Sequence, residues 1–384
     1  AAVVALVGFP GTIFLNFLKM LVLPLVAISI STGVLSLRET GSAMKRVARV
    51  TILFYAGTMI LAVIVGVVLV TAIHPGRQKL EGQADSAAAA AAQQAVDPVT
   101  KLLEILANAV PPNIFEALAN YNILGVITFS IFFSVMLSQV GDAGEDLVGL
   151  IRTSELVFTK MIGLVLWFSP LGVGSLVAAK IMEVDDLGAS MKALSLYCVT
   201  VVLGLLVQGL VVLPGCYAVL VRKSPGPVMK EFLPAFVTAF GTDSSAATMP
   251  VTIQCAGKAG CAESVSNFVV PLGATINMNG TALYEALTVI FIAQLHGVDL
   301  GAGGTLVVCI TATLAAIGAA AIPSAGLVTM LLVLQAVGME EYASDIALIF
   351  TVDWLLDRCR TVVNVAGDAF AVCVVQDFTH VRDG

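Results

Sequence analysis

Several apolar runs in this chain are long enough to cross a bilayer, and that constrains the fold before anything else does. A transmembrane helix needs about 20 mostly apolar residues. The candidates run from Thr12 to Leu37, Val47 to Ile73, Leu124 to Gln139, Leu156 to Ile181, Leu194 to Val221 and Val265 to Leu295. Only 12% of the 384 residues are charged, against 58% hydrophobic, whereas a soluble domain carries about 25% charged residues. This balance argues against a soluble enzyme. A formal charge of −7 argues against nucleic acid, which calls for a basic face. The cysteines Cys198, Cys216, Cys255, Cys261, Cys309, Cys359 and Cys373 lie mostly in apolar runs without CxxC spacing. They read as small apolar side chains and not as a disulfide frame or zinc site. His74, His296 and His380 fall in loops or at the tail, paired with no nucleophile, so no catalysis is expected. The expected class is an all-α polytopic membrane protein.

Charge bias orients the chain. Arg38, Lys45, Arg46 and Arg49 cluster in one loop, and Arg222, Lys223 and Lys230 in another. Both loops are expected on the cytoplasmic side, with the acidic Glu183, Asp185 and Asp186 outside and the first helix starting outside. Gly76 to Asp97, with an alanine tract from Ala87 to Ala92, reads as a flexible extracellular linker.

The last third behaves differently. Pro234–Ala256 is interrupted by GTDSSAATMP (Gly241 to Pro250), and Thr305–Val337 by AAIGAAAIPSAG (Ala315 to Gly326). Each half is too short to span. Irregular backbone at membrane depth survives only where protein or a wet cavity surrounds it. Each stretch therefore predicts a re-entrant helical hairpin that enters, turns at a small-residue tip and leaves by the same side. A polar-bearing helix follows each one, the first with NMNGT (Asn277 to Thr281) and the second with DRCRTVVNVAGD (Asp357 to Asp368). Hairpin plus broken helix, twice over, is an internal repeat, and interrupted segments at matching places point to a transport site. A pair of kinked structural helices is the alternative, and it leaves the charges unexplained.

On a helix at about 100° per residue, Asp353, Asp357, Arg360, Thr361, Asn364 and Asp368 share a face about 100° wide. Leu355, Leu356, Val362, Val363 and Ala366 take the other. Ionised side chains at membrane depth are costly and mark function. Three carboxylates and one guanidinium leave a formal excess of negative charge, to be met by a substrate ammonium or by cations. Arg360 is a planar fork suited to a carboxylate. An ammonium at Asp357 and a carboxylate at Arg360 describe an amino acid, and an acidic one best. The Asn-Met-Asn-Gly run should unwind its helix. Freed carbonyls, with Asn277 and Asp368, would then form an oxygen cage for a hard cation such as Na⁺. Glu285 is a lone carboxyl in apolar surroundings, which penalise the ionised form. It is a candidate proton carrier, or else a hydrogen-bonded structural residue.

These motifs, with Phe9-Pro10-Gly11, KMLVLPL (Lys19 to Leu25), FYAGT (Phe54 to Thr58), WFSPLGV (Trp167 to Val173), NMNGTALYEA (Asn277 to Ala286) and DRCRTVVNVAGDA (Asp357 to Ala369), resemble the sodium-coupled glutamate and neutral amino acid transporter family over nearly the whole chain. The resemblance implies an elevator-type homotrimer of inverted repeats, with two re-entrant hairpins and two broken helices, in the plasma membrane. The family's first helix would precede residue 1. Residues 1–46 and 98–185 would be scaffold, separated by the 47–75 transport-domain helix and the 76–97 linker. The transport domain would continue with 186–225, hairpin 1 (226–258), the broken helix (259–298), hairpin 2 (299–338) and the substrate-binding helix and tail (339–384).

Carried over by motif, Asp357 would hold the substrate amine, Arg360 the side-chain carboxylate, and Asn364 and Ser245 the α-carboxylate. Thr281 and Thr361 would line the pocket. The gate would be the second tip, with Ala319, Ala320, Ala321, Pro323 and Gly326. One Na⁺ would sit at Gly273, Asn277, Asn364 and Asp368, and a second on carbonyls near Thr275, Ala316, Ile317 and Ala319. Tyr55, Thr58 and Asn279 fall at a third. Glu285 matches a branch coupled to H⁺ and K⁺, and Arg358 would pair with Asp243 there. The implied partners are an amino acid, lipid and further copies of the chain. A neutral amino acid exchanger and an anion channel are the alternatives.

Four departures from the family pattern matter. Asn279 stands where the family has aspartate, and Met59 where it has a hydroxyl residue. Losing a carboxylate and a hydroxyl weakens a hard-cation cage, so fewer or weaker coupled sodium ions are expected. Ala316 and Ala321 replace a serine and a glycine, the latter stiffening the gate.

Overall fold

A computed structural model describes residues 2–36, 44–77, 107, 110–120, 122–183, 187–319 and 325–381. Among them the regular structure is entirely helical, and six helical stretches are long and apolar enough to cross a membrane. In lipid a helix satisfies its backbone polar groups internally, which suits sequences this apolar.

The chain opens with α1 (Ala2–Ser36) and α2 (Met44–Ile73). Residues 78–106, which hold most of the expected linker, lie outside the described residues. There follow α3 (Ile114–Ala119), capped by Asn113, and α4 (Ile123–Val140), capped by Asn122. The run expected as one crossing from Leu156 to Ile181 is two helices, α5 (Glu145–Trp167) and α6 (Ser169–Glu183). Pro170 supplies the reason: it lacks an N–H and suits a first turn, so the ladder restarts at Ser169. The next run continues through a π-helical segment, Gln208–Val212, between α7 (Leu187–Val207) and α8 (Leu213–Val221).

The last third matches the interruptions read from sequence, with one correction. After the short α9 (Gly226–Glu231), α10 (Leu233–Thr242) and α11 (Ser245–Lys258) pack on each other across a turn at Asp243 and Ser244. Asp243 ends α10 in the left-handed region at φ 54°, and the Ser244 hydroxyl caps α11 at Ala247 N. Next, α12 (Glu263–Ile276) stops at Asn277 and Met278, and α13 (Asn279–Leu295) resumes. A second hairpin-like pair, α14 (Gly301–Gly318) and α15 (Ala325–Ala336), also packs together. Its tip, including Ala320, Ala321 and Pro323, lies outside the described residues. The final helix, α16 (Ile346–Thr379), is continuous. The second broken helix is therefore absent: this run holds no proline and one glycine, so nothing interrupts its ladder.

Two groups of helices emerge from the packing. In one, α1 lies against α4, α5 and α6; the Ser175 hydroxyl accepts from Gly11 N at 3.0 Å and donates to the Val7 carbonyl. In the other, α2, α7, α14, α15 and α16 surround α13. Close approach there depends on small residues, as is usual between helices in lipid. A Cβ on Gly66 would lie 2.8 Å from the Leu283 carbonyl oxygen, and one on Gly204 3.1 Å from the Leu283 side chain. The result is that Asn279 through Ala293 are buried without a gap. The polar face of α16 is buried too, but its opposite face is not uniformly exposed. Val363 and Ala366 are covered while Trp354 and Leu355 are open, and Val363 through Cys373 are buried on all sides.

Candidate functional site

Where α13 begins, its first turn meets the middle of α16, and the polar stripe read from sequence is held there. Asp353, Asp357, Arg360, Thr361, Asn364 and Asp368 are all at most 5% exposed. Arg360 is the centre. Its Nη2 is hydrogen-bonded to Asp357 Oδ1, and its Nη1 lies 3.7 Å from Asp353 Oδ1. The guanidinium carbon stands 4.4 Å from the centre of the Tyr284 ring, a cation–π contact. The Tyr284 hydroxyl donates to Asp353 Oδ1 at 2.8 Å. Arg360 Nη1 and Asp353 Oδ2 are nonetheless buried with no hydrogen-bond partner among the described residues.

Glycines let the backbone close on this arginine. A Cβ on Gly280 would fall 2.6 Å from the Arg360 carbonyl, and one on Gly326 of α15 2.6 Å from Arg360 Nη1. The Gly280 N–H donates to Asn364 Oδ1 at 2.8 Å, and Asn364 Nδ2 donates to the Thr281 hydroxyl at 3.3 Å. Asn364, Thr281 and Arg360 are thus brought together. Ser245 is buried in the first turn of α11, and the tip beside it reaches α16 where the Thr361 hydroxyl donates to Asp243 Oδ1 at 3.3 Å. The expected Arg358–Asp243 pair does not form. Arg358 Nη1 donates instead to the carbonyls of Phe240 and Gly241, at 2.9 and 3.0 Å. These are the last carbonyls of α10, which lack partners within their own helix.

A second polar cluster lies further along α16. Asn279 Nδ2 donates to Asn277 Oδ1, and Asn277 Nδ2 to Asp368 Oδ1, both at 2.9 Å. A Cβ on Gly273 would collide with the Asp368 carboxylate and the Tyr55 hydroxyl, so only glycine fits between them. Tyr55 donates to the Val269 carbonyl at 2.8 Å. Gly273, Asn277, Asp368, Tyr55 and Asn279 therefore form one oxygen-rich group with a single carboxylate, suited to a hard monovalent cation. Thr58 turns its hydroxyl back on Phe54 and Tyr55 carbonyls, with Met59 buried beside it. Thr275 bonds the Leu272 carbonyl at 2.9 Å, while Ala316, Ile317 and Ala319 close α14, which packs on α12. Glu285 is fully buried; its Oε1 accepts from the Thr329 hydroxyl of α15, and its Oε2 has no hydrogen-bond partner among the described residues.

Sequence reasoning missed Tyr284, Thr329 and Gln208. Gln208 opens the π segment, is fully buried and donates to the Thr58 carbonyl at 3.1 Å. A polar group inside an apolar run was the available signal; the π turn, a feature associated with functional sites, belongs to the folded backbone alone.

Charged groups enclosed beside the break of a membrane helix mark a solute or ion pathway, an arrangement found in secondary transporters. Comparison with known proteins narrows this class. The profile of the sodium:dicarboxylate symporter family matches residues 1–378. Human excitatory amino acid transporter 2 is 38% identical over 427 residues, which cover 97% of this chain and 73% of that protein. An excitatory amino acid transporter of Caenorhabditis elegans is 37% identical, with 97% and 81% covered. Excitatory amino acid transporter 3 of Oryctolagus cuniculus is 37% identical, with 96% and 78% covered. The chain belongs to the sodium:dicarboxylate symporter family. It is a multi-pass membrane transporter coupled to sodium, and not an enzyme.

Proposed function

We propose that this protein carries an acidic amino acid, L-glutamate or L-aspartate, across the plasma membrane together with sodium. The observation that carries the reading is Arg360: a guanidinium inside the membrane body, held by Asp357 and Asp353, whose Nη1 makes no hydrogen bond among the described residues. A buried charged donor left unmatched is costly, and a carboxylate-bearing substrate supplies the missing acceptor. The α-ammonium goes to Asp357, the side-chain carboxylate to Arg360, and the α-carboxylate to Asn364 and Ser245, with Thr281 and Thr361 lining the pocket.

Binding all three charged groups of the substrate, which sum to one negative charge, leaves carboxylates in formal excess, so cations must travel with it. Sodium occupies Gly273, Asn277, Asn364 and Asp368, and a second ion uses carbonyls near Thr275, Ala316, Ile317 and Ala319. The third position, at Tyr55, Thr58 and Asn279, is weakened by its missing carboxylate, so fewer than three sodium ions accompany each substrate. Glu285 carries a proton on the inward journey, and K⁺ returns on the empty carrier. The α14–α15 hairpin is the gate and re-enters the membrane, as does α10–α11. The α13-centred group moves as an elevator against the α1, α4, α5 and α6 scaffold of a homotrimer. Similarity to the sodium:dicarboxylate symporter family and to proteins named excitatory amino acid transporters supports sodium-coupled amino acid transport.

The test is uptake of radiolabelled aspartate into proteoliposomes, with inside and outside cations varied one at a time. Saturable, stereoselective accumulation that requires external sodium is expected. Accumulation of serine in preference to aspartate would assign the neutral exchanger, and current without accumulation would assign a channel.

A further inference from the structure

Two of the seven cysteines meet at one end of the molecule, far from the substrate site. Cys261 lies in the link between α11 and α12, Cys373 near the end of α16, and their sulfurs are 3.9 Å apart across 112 residues of sequence. No other thiol–thiol contact is present among the described residues. Backbone geometry fixes the pair. The Ala262 N–H donates to Gln376 Oε1 at 2.9 Å, and Gln376 Nε2 donates to the Val381 carbonyl at 2.7 Å. The link is thereby clamped to α16 within a turn of Cys373. A disulfide needs sulfurs about 2.0 Å apart, so closing the bond takes a further approach of about 2 Å.

Both cysteines are buried, at 8% and 9% exposed, but they border a cavity of about 600 Å³. Its charged and titratable lining includes Lys223, Lys258, His380, Glu231 and Asp377. Lys223 is held over it by Asp377 at 2.5 Å. With Arg222 and Lys230 nearby in sequence, this basic end falls on the cytoplasmic side by the positive-inside rule. In that reducing compartment a protein dithiol is the resting form, and disulfides there are transient and redox-sensing.

We propose that Cys261 and Cys373 are a redox modification site, oxidised reversibly to a disulfide by oxidised glutathione, the cytoplasmic disulfide, acting through this cavity. The Cys261 thiolate attacks one sulfur of oxidised glutathione, forming a mixed disulfide and releasing one glutathione thiolate. Cys373 then gives its proton to cavity water, and its sulfur attacks that of Cys261, expelling the second glutathione. Two protein thiols lose two electrons, and one oxidised glutathione becomes two reduced ones. The bond ties the start of α12 to α16, fixing the register of the two helices that carry Gly273, Asn277 and Asp368.

The test uses the purified, reduced transporter exposed to oxidised glutathione, then alkylated, digested and read by mass spectrometry. Two of the seven thiols should be lost to alkylation, a peptide linking Cys261 to Cys373 should appear, and dithiothreitol should restore both. In Cys373→Ser, Cys261 should carry a glutathione adduct in place of the cross-link. Quantitative alkylation of both cysteines would overturn the proposal. So would a cross-link obtained with copper phenanthroline but not with glutathione, or a Cys373→Ser protein with Cys261 unmodified.

Discussion

Tyr284→Phe removes one hydroxyl and leaves the ring. The guanidinium of Arg360, 4.4 Å from the ring centre, keeps its aromatic contact. What disappears is the 2.8 Å hydrogen bond to Asp353 Oδ1. Because Asp353 Oδ2 has no hydrogen-bond partner among the described residues, Arg360 at 3.7 Å becomes the remaining polar neighbour there of a buried carboxylate. A hydrogen bond to a charged group contributes about 1.5–3 kcal/mol. The guanidinium recovers part of this by swinging toward Asp353, and in doing so it leaves the substrate. If roughly 1 kcal/mol is withdrawn from the substrate carboxylate, the KM for aspartate rises about fivefold, with maximal rate and sodium dependence unchanged. Competition by serine, which has no side-chain carboxylate, should not weaken. The measurement is initial uptake in proteoliposomes across aspartate concentrations. An unchanged KM, or an equal loss for aspartate and serine, would refute the idea that Tyr284 positions Arg360.

Three further substitutions probe the other clusters. Gly326→Ala puts a methyl group 2.6 Å from Arg360 Nη1 and 2.9 Å from its Cζ; overpacking of about 1–3 kcal/mol should cut aspartate uptake by about 5- to 150-fold without loss of folded protein in gel filtration. Asn279→Asp should raise sodium affinity and steepen the sodium dependence of uptake, by restoring a carboxylate to the cage; an identical sodium titration would count against a third cation position there. Glu285→Gln should abolish the acidification that accompanies net uptake, read with an internal pH dye, while aspartate exchange persists. Continued acidification would remove Glu285 as the proton carrier.

Much of this arrangement was legible because membrane helices leave few other reasons for polar residues. The Asp353 to Asp368 stripe needed only helical periodicity, and NMNGT announced a break that the chain makes at Asn277 and Met278. The two interrupted runs were visible as small-residue tips. The repeat was over-read, however: the stripe-bearing helix is continuous, because polar side chains alone do not break a helix whose ladder is intact. Contacts between distant segments left no spacing to read. Tyr284 over Arg360 and Thr329 on Glu285 are met only after α13, α15 and α16 pack. Arg358 shows the same limit, since its choice of carbonyls over Asp243 depends on where α10 ends.

The enclosure of α13 reaches beyond the site. Its buried stretch from Asn279 to Ala293 presents no surface to hydrocarbon, whereas α2 and α7 expose Leu53, Ile64, Val199 and Leu206. Thickness changes in the surrounding bilayer, which act on lipid-facing surfaces, therefore strain the outer helices first. Acyl-chain composition should tune how fast this protein works far more than which solute it accepts.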